Sequence, residues 1–167
     1  MRSILFILLT TVLLLSGCSQ SKQLSSRAPT KAELKNFIES MNIEVLTKKV
    51  YSDYAVILGV NSIYSLAILN DGKPQFLGSS WGGGNADRID VSAVTQQSPF
   101  IGVIIYQNDI ISQGSKLEVV FEDKSTVKMS MNREKAYIIE HPSGKVTNID
   151  NAIVNIFNSK DELIWTR

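Results

Sequence analysis

Downstream of Ile43 the apolar residues never settle into a helical period. They come in short segments rich in Val, Ile, Tyr and Phe, cut at fairly regular intervals by Gly, Pro, Asn and Asp. Such punctuation predicts short antiparallel strands joined by tight turns. Tyr54–Val60 and Ile63–Leu69 bracket Asn61-Ser62 as a hairpin. Asn70-Asp71-Gly72-Lys73 is a turn sequence, because Asp-Gly accepts positive φ. Pro74 then opens a strand through Phe76 and Leu77, at a position where a missing amide costs least. Leu117, Val119 and Phe121 alternate with Lys116, Glu118 and Glu122, and Val127, Met129 and Met131 with Thr126, Lys128 and Ser130, across a turn at Asp123-Lys124. That alternation describes strands with one buried and one wetted face. Phe100–Tyr106 and Ala136–Ile139 are continuously apolar and read as central strands. Ala152–Phe157 pairs with Leu163–Thr166 across Asn158–Asp161, and Trp165 implies that the last strand is packed.

One helix precedes this β region. Thr30 and Glu33 have capping-box spacing, and Leu34, Phe37, Ile38 and Met41 recur at i, i+3, i+4 and i+7. Asn42 is a plausible stop. No second helix is evident after Ile43. The expected fold class is therefore mainly β, an antiparallel β-sandwich or partly open barrel with one N-terminal amphipathic helix. The helical stripe is expected to pack on its own domain, with a partner-binding role as the alternative.

The N-terminus decides compartment. Arg2 is followed by an apolar run from Ile4 to Leu15, then Ser16, Gly17 and Cys18, the only cysteine in the chain. A basic start, an apolar core and a small-residue end make a secretory signal, and the run is short of the ~20 residues that a membrane span needs. Leu15-Ser16-Gly17-Cys18 resembles the lipobox of bacterial lipoproteins. That resemblance implies cleavage between Gly17 and Cys18, a diacylglyceryl group on the Cys18 thiol, and residence on the extracytoplasmic face of the cell membrane. In a Gram-negative source, Ser19 beside the lipidated cysteine would suit the outer membrane. The chain as a whole is loosely similar to small uncharacterised lipoproteins of low-GC Gram-positive bacteria. The implied organisation is a signal peptide over 1–17, a lipidated tether over 18–29 and a single domain over 30–167. Ser19–Pro29 is polar and serine-rich, as a flexible tether is. Without residues 1–17 the chain carries 16 basic and 16 acidic side chains and is formally neutral. No basic excess points to nucleic acid.

Gly78–Arg88 is the most unusual stretch, with three consecutive glycines and Trp81. Ser80, Trp81, Asp87 and Arg88 form a candidate binding loop, with a flat aromatic platform and polar handles for a sugar, a peptide or a protein. The alternative is that Trp81 folds back onto the core. Gly78-x-Ser80-x-Gly82 also matches the nucleophile-elbow pattern, with His141, the only histidine, as base and Asp109 or Asp123 between them. No helical stripe follows Ser80, so the elbow's strand–turn–helix context is missing and no catalytic residue is assigned. Asn85, Asp87 and Asp90 lack the spacing of a calcium loop, and no His/Cys cluster suits zinc. No phosphate- or dinucleotide-binding glycine motif is present. The expectation is a non-catalytic, cofactor-free binding module. Its partners would be the membrane, through Cys18, and an envelope protein, a wall polymer or a small ligand. The alternatives are an envelope serine hydrolase using Ser80, or an inhibitory, immunity-type partner of another envelope protein.

Overall fold

A computed structural model describes residues 26–81, 89–94, 100–144 and 151–167. The elements run β1 (Ser26–Arg27), α1 (Lys31–Ser40), β2 (Val45–Val50), β3 (Ala55–Gly59), β4 (Ser62–Leu69), β5 (Pro74–Ser80), β6 (Ile89–Val94), β7 (Phe100–Ile105), α2 (Asn108–Gln113), β8 (Gly114–Val120), β9 (Thr126–Ser130), β10 (Ala136–Glu140), β11 (Ile153–Asn158) and β12 (Leu163–Thr166). All described strand pairs are antiparallel. They form a first sheet ordered β2-β3-β4-β5, with β1 beside the far end of β4, a second ordered β10-β7-β6, and a third ordered β12-β11-β8-β9. The chain is mainly β and built as stacked sheets, in keeping with the sandwich-type reading.

Side-chain alternation explains the stacking. On β7, Ile101, Val103 and Ile105 join Leu117, Val119, Val154 and Ile156 of the third sheet. Phe100 and Ile104, on the opposite face of the same strand, join Val56, Leu58 and Ile63 of the first sheet. The middle sheet is thus buried on both sides, which is why β7 reads as an unbroken apolar run instead of an alternating one. β3 repeats the device one layer out. Its Ala55 and Ile57 meet Leu34 and Phe37 of α1 on the face away from β7. A Cβ at Gly102 would stand 2.8 Å from both Ile63 Cδ1 and Leu58 Cδ1, so a bare backbone there lets the first two sheets close up. Three polar contacts tie the layers together. Tyr54 Oη donates to Glu140 Oε1 (3.2 Å) and Tyr106 Oη to Val60 O (2.7 Å), while Arg167 Nη1 donates to Val91 O (3.2 Å).

The structure departs from the sequence reading at four places. Ala136–Ile139, read as a central strand, lies in β10 at an edge of the second sheet; its apolar run reflects packing on its faces, which does not reveal whether a strand is central or at an edge. Asn108–Gln113 is a short second helix, α2; six residues are too few to display a helical period. Ser26 and Arg27, inside the stretch read as tether, pair with Leu69 and Ile68 of β4. Gly78, Ser79 and Ser80, read as loop, are ladder residues of β5 opposite Tyr64, Ile63 and Ser62. A Cβ on Gly78 would lie 2.2 Å from Tyr64 Cδ1, so this glycine makes room for a ring lying across it.

Candidate functional site

The capping box predicted at Thr30 and Glu33 forms, and it is part of a larger clasp. Glu33 N donates to Thr30 Oγ1 (3.3 Å), and Thr30 N donates back to Glu33 Oε2 (2.8 Å). Arg27 adds a two-pronged ion pair, Nη1 to Oε2 at 2.9 Å and Nη2 to Oε1 at 2.7 Å. The Arg27 guanidinium, reinforced by the Thr30 amide and hydroxyl, pulls the Glu33 carboxyl down from 4.5 to about 2. β1 is thereby pinned to the start of α1.

The clasp stands at one end of a groove between α1 and the β4–β5 hairpin. Asn36, Phe37 and Ser40 form one wall, and Leu66, Ile68 and Pro74 the other, around about 280 Å³. That is room for one or two side chains, slightly below the ~300–1,000 Å³ of ordinary small-ligand pockets. Beside it Phe37, Tyr64 and Phe76 form an aromatic cluster, with Phe37 centroids 5.8 Å from Tyr64 and 5.1 Å from Phe76. Phe37 is buried, whereas Phe76 is 45 % exposed. It is the one aromatic among the described exposed large apolar side chains. Nothing in Gln75-Phe76-Leu77 signals this, since a single aromatic on a short strand gives no sign of which face is covered.

Because Glu33 titrates lower folded than unfolded, the unfolded chain binds more protons between those two values. The clasp's contribution to stability is therefore complete above about pH 4.5 and is lost as pH falls towards 2. An NMR titration should place the Glu33 carboxyl near 2, and Arg27→Gln should move it up. A midpoint near 4.5 in the unaltered protein would mean that the clasp does not form in solution.

The other residues singled out by sequence are dispersed. Ser80 is exposed at the end of β5. The ladder continues past it, with Trp81 N donating to Asn61 O (2.9 Å), so the chain makes no sharp turn at Ser80. Trp81 is half-buried against the cluster of Val56, Leu58 and Ile63, and its indole Nε1 has no described partner. Asp90 lies on β6 opposite Ile104, and Asp109 is in the first turn of α2. Gly17, Cys18, Asn85, Asp87 and Arg88 fall outside the described residues.

His141 has a corner of its own. It is 1 % exposed, with Phe121 edge-on at 4.5 Å. Nδ1 accepts from Ser143 N (3.2 Å), which leaves the proton of a neutral ring on Nε2. Nε2 faces Ser125 Oγ (3.1 Å) and Asp123 Oδ2 (3.3 Å), and Ser125 Oγ donates to Asp123 Oδ1 (2.6 Å). Of the two aspartates considered beside His141, Asp123 is the one at the ring. It faces the same nitrogen as Ser125, whereas a relay triad needs its carboxylate on the opposite one. The arrangement ties the β8–β9 turn to the end of β10.

Among the described residues no group of three or more His, Cys, Asp or Glu could hold a metal ion. No described helix is long and apolar enough to cross a membrane. No protein-family model, curated protein or solved structure matches this chain.

Proposed function

We propose that this protein is a lipid-anchored, extracytoplasmic binding module that engages another envelope protein through the groove between α1 and the β4–β5 hairpin. The observation that carries this reading is the open groove with Phe37, Leu66 and Ile68 in its lining, next to Ser26 and Arg27 of β1. Interfaces concentrate their energy in a few aromatic and apolar anchors set in a polar surround. Phe37, Leu66 and Ile68 supply an apolar seat for such an anchor, and Asn36, Ser40 and Glu33 the polar surround. With Cys18 lipidated, the residues between the anchor and Ser26 span at most about 3.3–3.6 Å each, on the order of 28 Å in all. The groove borders β1, so it would stay close to the membrane surface and meet partners that also sit there. A groove of this volume suits an inserted side chain better than a polymer.

Two substitutions test the reading separately. Cys18→Ser should move the protein from the membrane to the soluble fraction, and an unchanged membrane fraction would remove the lipid anchor. A photo-reactive amino acid at Asn36, on the helical wall of the groove, should capture one reproducible envelope protein other than this chain in intact cells, while the same group at Lys160, in the β11–β12 turn, should not. Equal capture from both positions would remove the groove as the recognition surface.

A further inference from the structure

We propose that β5 is a dimerisation strand, to which β5 of a second copy of this chain adds antiparallel. This rests on the geometry of β5 and is independent of the lipid anchor. Among the described residues β5 pairs with β4 alone. Its outer edge is one of the sheet ends that a free chain has to protect. The other described edges of five or more residues carry charge: Lys48 and Lys49 on β2, Asp90 on β6, Lys128 on β9 and Glu140 on β10. β5, Pro-Gln-Phe-Leu-Gly-Ser-Ser, carries none, and six of its seven residues are exposed.

The ladder shows which backbone groups remain to be used. Leu69 N donates to Lys73 O and Trp81 N to Asn61 O. In an antiparallel pair such positions alternate. Gln75, Leu77 and Ser79 therefore spend their amides and carbonyls on β4, while Phe76, Gly78 and Ser80 point theirs outward and Pro74 points a carbonyl only. A two-fold axis at Leu77 matches these groups to themselves. Phe76 and the partner's Gly78 exchange both hydrogen bonds, Gly78 and the partner's Phe76 do the same, and each Ser80 amide meets the partner's Pro74 carbonyl. The amide that proline lacks falls at the outer end, where no carbonyl in the centre depends on it.

The side chains agree with that register. Phe76 would lie beside the partner's Gly78, the one residue of the strand without a side chain, and so against the partner's Tyr64, which already covers that glycine. Aromatic contacts across paired strands are favourable, and like charges directly opposite are unfavourable; this pairing offers the first and avoids the second. An axis perpendicular to the sheet leaves both α1 helices and both grooves on the same face.

Sedimentation of the detergent-solubilised lipidated protein, with detergent mass subtracted, should give the mass of two chains. Phe76→Lys should weaken the dimer by on the order of tenfold or more. Ser80→Pro should weaken it too, since it removes an outward amide and spares the β4 ladder; it serves if Phe76→Lys fails to give an ordinary unfolding transition. Register is tested by single cysteines. At a non-hydrogen-bonded antiparallel pair the two Cα atoms are ~4.5 Å apart, within disulfide reach. Leu77→Cys should therefore form an intermolecular disulfide in the purified protein under a mild oxidant, and Gln75→Cys, which faces the partner's Ser79, should not. A single-chain mass at tens of micromolar would overturn the proposal. So would a dimer indifferent to both edge substitutions, or cross-linking from position 75 as efficient as from 77.

Discussion

Truncating Phe100 to alanine is expected to cost about 3–5 kcal/mol, a large part of the ~5–15 kcal/mol that holds a domain of this size together. Phe100 opens the middle strand and is 1 % exposed. It faces Val56, Leu58 and Ile63 across the gap between the first two sheets. Those neighbours belong to paired strands and cannot collapse into the space left behind, so the cavity cost adds to the lost burial. Phe76→Ala, on the exposed edge, should cost about 1 kcal/mol or less, since roughly half of that ring is already in water. Urea unfolding separates the two, with the Phe100 midpoint falling steeply at unchanged slope. Equal losses at both positions would mean that β7 is not the middle layer.

The second large effect is expected at His141. Replacing it with alanine removes a fully buried ring, opens a space beside Phe121, and leaves the Ser143 amide without its acceptor. Together these should cost on the order of 2–4 kcal/mol. Asp123→Asn should cost much less, because Asp123 is exposed and an amide oxygen can still accept from Ser125. The same geometry specifies the tautomer. Long-range ¹⁵N–¹H spectra should show the proton on Nε2 and a bare Nδ1. A proton on Nδ1 in the neutral ring would contradict the Ser143 contact.

Legibility in the sequence follows burial. β8 and β9 were readable because one face of each is wetted, so polar and apolar residues alternate. β3 and β7 were readable as strands but not as layers, because a run buried on both sides carries no facing information. α2 was too short to show a period. Gly78–Ser80 looked like loop because glycine and serine are turn residues on average; the reason for the glycine is the Tyr64 ring fourteen positions away in the chain. His141 was noticed for its chemistry, but its corner depends on Ser125 and Ser143, whose hydroxyls meet the ring only once the β8–β9 turn folds over it. The groove was harder still. Its helical wall was legible as a stripe, whereas its other wall, Leu66, Ile68 and Pro74, comes from the β4–β5 hairpin about thirty residues further along the chain, and no local pattern encodes that meeting. Cys18, Asp87 and Arg88 stand as they did in the sequence.

The two-residue strand β1 and the Arg27–Glu33 clasp also decide what happens under load. Among the described residues, a force drawn through the chain ahead of Ser26 meets first two paired residues and one exposed ion pair. Salt screening loosens that pair, and so does acid that brings the pH from 4.5 towards 2. β1 would therefore peel away before any strand of the core is strained. With Cys18 lipidated as proposed, peeling frees residues 26–29 and lengthens the link to the anchor by about 13–14 Å, at ~3.3–3.6 Å per residue. β1 would then act as a sacrificial link, with spare reach stored where the pull arrives.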